Sequence, residues 1–259
     1  VAQLVRAEGI VLHSIRHGET SRIATVFTRE HGKVGIIAKG ARSKKGGVGA
    51  ALEPLSRCAF LYYYKAAREI QMLKEVSLLD AHTGLRKALP LLTVASAMAE
   101  LCRLTLKDAD AHPEIYDLLD QALVALDKEP AQPLPILWKF ELELLAALGF
   151  ALSLERCAQC GKELKAPFSG RVGFRLEDGS FLGPDCEPGS QKDGTLAAET
   201  FAVLSSVARK PAAMLGRLTV SAAARREVQD FLANYLSYHL PVRGYLKSLA
   251  ALEWDRQSA

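Results

Sequence analysis

Cys157-Ala-Gln-Cys160-Gly161 is the sharpest chemical signal in the chain. Two thiolates separated by two residues and followed by glycine can grip one tetrahedral zinc from a tight turn, and a second pair roughly 15–25 residues later completes a ribbon-type site. Here that second pair is incomplete. Cys186 ends the run Gly183-Pro-Asp-Cys186, so a glycine stands three positions before it and three thiolates are available. Neither Asp185 nor a nearby histidine is an obvious fourth ligand. Two readings stay open: zinc on Cys157, Cys160 and Cys186, or a ribbon without metal, held by packing of Phe168, Phe174 and Phe181. A redox pair fits less well, because the motif does not open a helix in a βαβ context.

The second constellation is basic: Arg16, Arg22, Lys33, Lys39, Arg42, Lys44 and Lys45, with no acidic residue between Lys33 and Lys45. Strand alternation puts Lys33 and Lys39 on one face, and the glycine-rich stretch after them adds three more cations. Spaced long cations suit phosphates, whereas bases need flat partners. Phe60, Tyr62 and Tyr64 share one face of a later run, where packing in a core is the competing reading.

Catalytic arrangements do not emerge. The chain has no P-loop, no nucleotide-binding glycine fingerprint after a strand, no Gly-x-Ser-x-Gly elbow and no His-Glu-x-x-His pair. His13, His17 and His31 fall in the basic region as surface or turn residues, and Glu141 and Glu143 point to different sides of a helix. A binding protein is expected rather than an enzyme.

Alternating apolar residues define five strand runs at 6–15, 21–28, 32–39, 55–64 and 69–79, joined by tight turns and one longer loop at 41–52. Five strands in this span match an OB-type barrel, which leaves a sheet face open to oligonucleotides, with an SH3-like barrel as the alternative. Beyond Asp80 the apolar spacing becomes helical at 85–106, 114–126 and 135–148, punctuated by Pro113, Pro130, Pro133 and Pro135. It fails across 153–193, then returns at 196–208, 221–238 and 245–252. The expected architecture is α+β and multidomain. An N-terminal five-stranded OB-type barrel occupies 1–80, an α-helical domain 81–152 and 194–259, and a zinc-ribbon-like insert 153–193.

With 259 residues, 49% of them hydrophobic, the chain can bury a large core, which argues against disorder. The net charge of +4 hides an asymmetry. Residues 1–80 carry 13 Lys and Arg against 7 Asp and Glu, while 81–259 carry 20 against 22. A basic block of this kind is the footprint of polyanion binding, although a solvated basic surface would look the same. Five cysteines, an odd number, fit a reducing compartment, and with no membrane-length apolar run or secretory pattern a cytoplasmic, membrane-free location is expected.

The order of motifs is also familiar. Glu8-Gly-Ile-Val-Leu, Thr25-Val-Phe-Thr, His31-Gly-Lys-Val-Gly-Ile-Ile-Ala-Lys-Gly-Ala-Arg, Leu137-Trp-Lys-Phe-Glu-Leu, Leu148-Gly-Phe, Cys157-x-x-Cys160-Gly and Tyr245-Leu-Lys-Ser-Leu together resemble the RecO family of bacterial DNA-repair proteins over nearly the full chain. The resemblance implies a recombination mediator with an N-terminal OB domain, a helical body and an embedded zinc-ribbon-like element. Such proteins bind single- and double-stranded DNA and anneal complementary strands. They act with RecR and with the acidic C-terminal tail of single-stranded-DNA-binding protein, and so help RecA load on coated single strands. By position, the family's basic surface falls on Lys33, Lys39, Arg42, Lys44 and Lys45, and its cysteine ligands on Cys157, Cys160 and Cys186. Family members with four cysteines would carry one at Gly183. The rival expectation is an OB-fold and zinc-ribbon RNA-binding accessory factor in translation or transcription, which would prefer structured RNA. A metal-dependent nucleic-acid hydrolase is a third class, separable by a cleavage assay with and without chelator.

Overall fold

The computed structural model describes residues 3–41, 48–165, 168–186, 188–242 and 246–249. They fall into two compact units, one formed by the chain up to Glu129 with the segment from Leu246, the other by Pro130–Tyr245.

The first unit is built on a closed barrel of five strands: β1 (Gln3–His17), β2 (Ser21–Thr28), β3 (Gly32–Ala38), β4 (Arg57–Tyr64) and β5 (Ile70–Asp80), in the order β1-β2-β3-β5-β4. One long strand makes closure possible. The first half of β1 pairs with β4 and its second half with β2, and a bulge between Val11 and His13 bends it between the two neighbours. The last seam is parallel and short, Gly35–Ile37 of β3 against Ile70–Met72 of β5.

Alternation decides what fills the barrel. Val11, Ala24, Val26, Val34, Ile36, Cys58, Phe60 and Tyr62 point inward and are buried, and Ala51 and Leu52, at the end of the short helix α1 (Val48–Ala51), join this core. Gly32 starts β3 with φ +67°, and a Cβ there would meet the Asp110 carbonyl oxygen at 2.1 Å. Only glycine permits that approach of two backbones.

Two helices complete this unit, α2 (Leu89–Thr105) and α3 (Pro113–Asp127). The helical spacing that begins at Leu85 is split in the structure. Thr83–Arg86 form a separate 3-10 turn, and α2 starts at Leu89 because Pro90 suits a first turn and no interior position. Phe27 of β2 packs edge-on against Tyr116 of α3 at 5.7 Å. Around that contact Arg29 grips Asp117 with two bonds of 2.8 and 2.9 Å, and Arg57 reaches Asp120 at 3.2 Å. The hydrogen bonds from Arg29 hold the Asp117 carboxyl below its ordinary range.

The second unit contains α4 (Leu134–Ala147), a four-stranded sheet, α5 (Ala198–Arg209), α6 (Ala212–Leu215) and α7 (Ala222–His239). The sheet is formed by β6 (Ser153–Cys157), β7 (Arg171–Phe174), β8 (Ser180–Leu182) and β9 (Gly194–Ala197), in the order β6-β8-β7-β9. Phe181 packs against Phe201 of α5 and Phe231 of α7, Phe174 against Phe231, and Phe168 against Phe201. Glu227 of α7 accepts from the Ala197 and Arg171 nitrogens and from the Thr200 hydroxyl, tying β7, β9 and the start of α5 together. Most of the helix expected over 245–252 lies outside the described residues. Within them, the Lys247 and Ser248 amides donate to Glu100 of α2.

Candidate nucleic-acid interface and candidate metal site

The basic residues of the barrel divide into two sets. Arg16 and Arg22 are direct partners across β1 and β2, and Arg22 in turn faces Ala38, the residue before Lys39. Cross-strand partners project from the same face, so two like charges meet at this end of the barrel. Glu53 offsets the repulsion by accepting from Arg22 at 2.7 Å, and the same guanidinium donates to the Gly49 carbonyl at 2.8 Å, leaving the Arg22 side chain 17% exposed. Arg16 and Lys39 are exposed beside it. Arg42, Lys44 and Lys45 follow Lys39 in sequence and lie outside the described residues.

Lys33 stands apart from this cluster. It sits at the opposite end of β3, roughly 20 Å from Lys39 at strand rise. Its ammonium donates to the Arg103 carbonyl in the last turn of α2 at 2.8 Å and pairs with Asp108 at 3.3 Å. Its own carbonyl accepts from the Ala109 amide at 2.9 Å, and its side chain is 11% exposed. Alternation puts Lys33 and Lys39 on the same side of the strand, but the side chain of Lys33 is spent on anchoring the end of a helix.

The aromatic platform also changes. Phe60 and Tyr62 are buried in the barrel core, with no face for a base, and burial pushes the Tyr62 hydroxyl up to about 12. The outer surface carries a different apolar path. Ile15 faces Ile23, Ile23 faces Ile37, Ile37 faces Met72, Met72 faces Tyr63, and Tyr63 faces Leu4. Ile15, Tyr63 and Leu4 are exposed and the three between them half-buried. These six side chains cross all five strands. At one end lie Arg16 and the β1–β2 turn, and at the other the β4–β5 turn with exposed Lys65 and Arg68. Buried Gln71 shapes that second turn by accepting from the Lys65 amide and donating to the Lys65 and Arg68 carbonyls. Sequence reasoning missed Lys65, Arg68 and the outer path. The signal was available in Ile36-Ile37 and Gln71-Met72-Leu73, where β3 and β5 are apolar on both faces although only one faces the core.

Cys157, Cys160 and Cys186 come together in the second unit, their sulfurs within 4.8 Å of one another. β6 ends at Cys157, the following turn carries Cys160, and the turn after β8 brings Cys186. Burial opposes ionisation of Cys157, but amides of Cys160, Gly183 and Gln159 directed at its sulfur outweigh it and lower the thiol to about 7. Cys186 shares hydrogen bonds with Cys160 and Cys157 that push it up to about 11. Sulfurs on a tetrahedral zinc stand roughly 3.8 Å apart for bonds of about 2.3 Å, so a small contraction would let this trio hold the ion. When bound, zinc would act here as a clamp between the turns after β6 and β8. Cys58 and Cys102 are buried elsewhere, raised by burial to about 11 and 12, and belong to the core.

A closed barrel in the order 1-2-3-5-4, with cationic turns at both ends of an apolar outer path, places the first unit in the OB-fold class. The family model "Recombination protein O N terminal" matches residues 3–82, and "Recombination protein O C terminal" matches 86–250. Among curated relatives, the DNA repair protein RecO of Salinibacter ruber is 35% identical over 237 residues, covering 91% of this chain and 88% of its own. That of Anaeromyxobacter dehalogenans is 35% identical, covering 91% of each, and that of Bacillus pumilus 26% identical over 95% of this chain and 92% of its own. The chain belongs to the RecO family of DNA-repair proteins. Among the described residues no helix is long and apolar enough to cross a membrane.

Proposed function

We propose that this chain is a recombination mediator in DNA repair that binds single- and double-stranded DNA, anneals complementary single strands without cutting them, and acts with RecR and the acidic tail of single-stranded-DNA-binding protein to help RecA load. Membership of the RecO family supports the repair role, and the barrel supports the DNA contact. One observation carries that contact: the apolar path from Ile15 to Leu4 is bracketed by Arg16 and Lys39 at one end and Lys65 and Arg68 at the other. Bases lie against the path while phosphates meet the cations, a sequence-tolerant mode. Arg42, Lys44 and Lys45 extend the cationic end on sequence grounds, and Arg22 positions it through Glu53 and Gly49. Annealing follows from the same charge, because cations that screen two phosphate backbones let strands approach with base edges still able to pair.

Fluorescence anisotropy with single-stranded, duplex and structured-RNA oligonucleotides across a salt series tests this, alongside a strand-annealing assay. Replacing Arg16, Lys39, Lys65 and Arg68 by alanine should weaken single-strand binding at least tenfold and flatten the salt slope by about 0.7 for each phosphate no longer neutralised. Tyr63→Ala should weaken single-strand binding and spare duplex binding. Unchanged affinity in the fourfold variant, a shallow salt slope in the wild type, or preference for structured RNA would each defeat the reading.

A further inference from the structure

We infer that the cysteine site of this chain is an open one: three thiolates hold a zinc-type ion, and its fourth position is taken by solvent and is exchangeable for a small donor from solution. The site is independent of the DNA contact proposed above.

Three observations carry it. The donor set stops at Cys157, Cys160 and Cys186, for among the described residues no other histidine, cysteine or carboxylate joins the cluster. Asp185, the carboxylate just before Cys186, is turned toward Lys162 at 3.6 Å, and Glu187, just after it, lies outside the described residues. Gly183 occupies the place of a fourth ligand. Its amide donates to the Cys157 sulfur at 3.3 Å, and a Cβ built on it would stand 4.0 Å from that sulfur, with its one tight contact at 3.2 Å to a terminal methyl of Leu164. The glycine therefore leaves a gap on the metal side where a side chain could fit. A cleft of about 320 Å³ opens on the same three cysteines and Gly183, bordered by Lys162, Lys165 and Phe168, and Cys160 is exposed, so the gap faces water. Closed four-ligand sites serve as structural clamps, whereas three ligands with a free position keep an exchangeable one. This chain can tolerate the open form because its sheet is packed by Phe174, Phe181, Phe201 and Phe231.

Full-length protein reconstituted with Co(II) reports the coordination directly. In the wild type, adding 2-mercaptoethanol should change the visible spectrum saturably, because a fourth sulfur replaces water. In Gly183→Cys the thiolate-to-cobalt charge-transfer intensity should rise by about one third, four bonds for three, and the added thiol should have no effect. Release of zinc to a chelator should be at least tenfold slower in that variant. Failure to take up cobalt, or a wild-type spectrum indifferent to added thiol, would overturn the inference. So would a wild-type spectrum altered by Asp185→Asn or Glu187→Gln, since the chain itself would then supply the fourth ligand. The wild-type titration decides the matter even if Gly183→Cys does not fold.

Discussion

Lysine 33 shows how little a cation's position in a basic run says about its use. Its ammonium is committed to the Arg103 carbonyl and Asp108, in a hydrogen bond at the protein surface. Truncating it leaves the Arg103 carbonyl near the end of α2 to water, at a net cost of about 0.5–1.5 kcal/mol. Lys33→Ala should therefore lower the urea midpoint while leaving the salt slope of DNA binding as it was. A fall in the slope with intact stability would return Lys33 to the DNA surface. Glu141 is the other residue whose environment overrides its type. It is 5% exposed on α4, and burial raises its acid to about 8 from an ordinary 4.5. The folded state thus favours the neutral acid, and that favourable contribution is complete below pH 4.5 and lost as pH climbs through 8. Glu141→Gln should gain on the wild type across that window, by up to a few kcal/mol at its upper end. Paired denaturation curves at about pH 5 and about pH 8.5 provide the check, and a gap that does not widen with pH contradicts the assignment.

At the level of elements, the small sheet is the informative case. Its strands are only three to five residues long, yet Phe181 is wholly buried between Phe201 and Phe231. Phe181→Ala should cost about 3–5 kcal/mol, whereas Cys157→Ser should cost far less, measured by thermal unfolding of the zinc-loaded protein. Equal losses would make the metal, rather than the aromatic cluster, the organiser. The five barrel strands were legible because alternation of apolar residues has one physical cause, and four of the predicted runs start within three residues of the observed strands and end within one. The start of β1 and the sheet of 153–197 were not. Gln3-Leu4 is exposed and reads as a tail until β4 pairs with it, and strands as short as Ser180–Leu182 present too few residues for a period to show. Helix α2 begins four residues later than the spacing predicts, because Leu85 continues the apolar pattern on a separate turn. The cysteine trio was readable from spacing alone, while the outer path needed register, since its six members come from five strands and never form a motif.

For the molecule as a whole, that path and the barrel's closure share one seam. β3 and β5 meet through three parallel register pairs, whereas every other junction in the barrel is antiparallel and longer. Fewer and slanted bonds make this the weakest line in the cylinder. Amides near Ile36 and Gln71 should exchange with deuterium sooner than those between β1 and β2, and a single-stranded oligonucleotide should slow them, which exchange with and without DNA can read. Exchange at the seam that is as slow as elsewhere, or indifferent to DNA, would contradict this. Ile37 and Met72 face each other across that line. A strand of nucleotides laid over them acts as a staple across a zipper, so that gripping its cargo and keeping the cylinder shut become a single event.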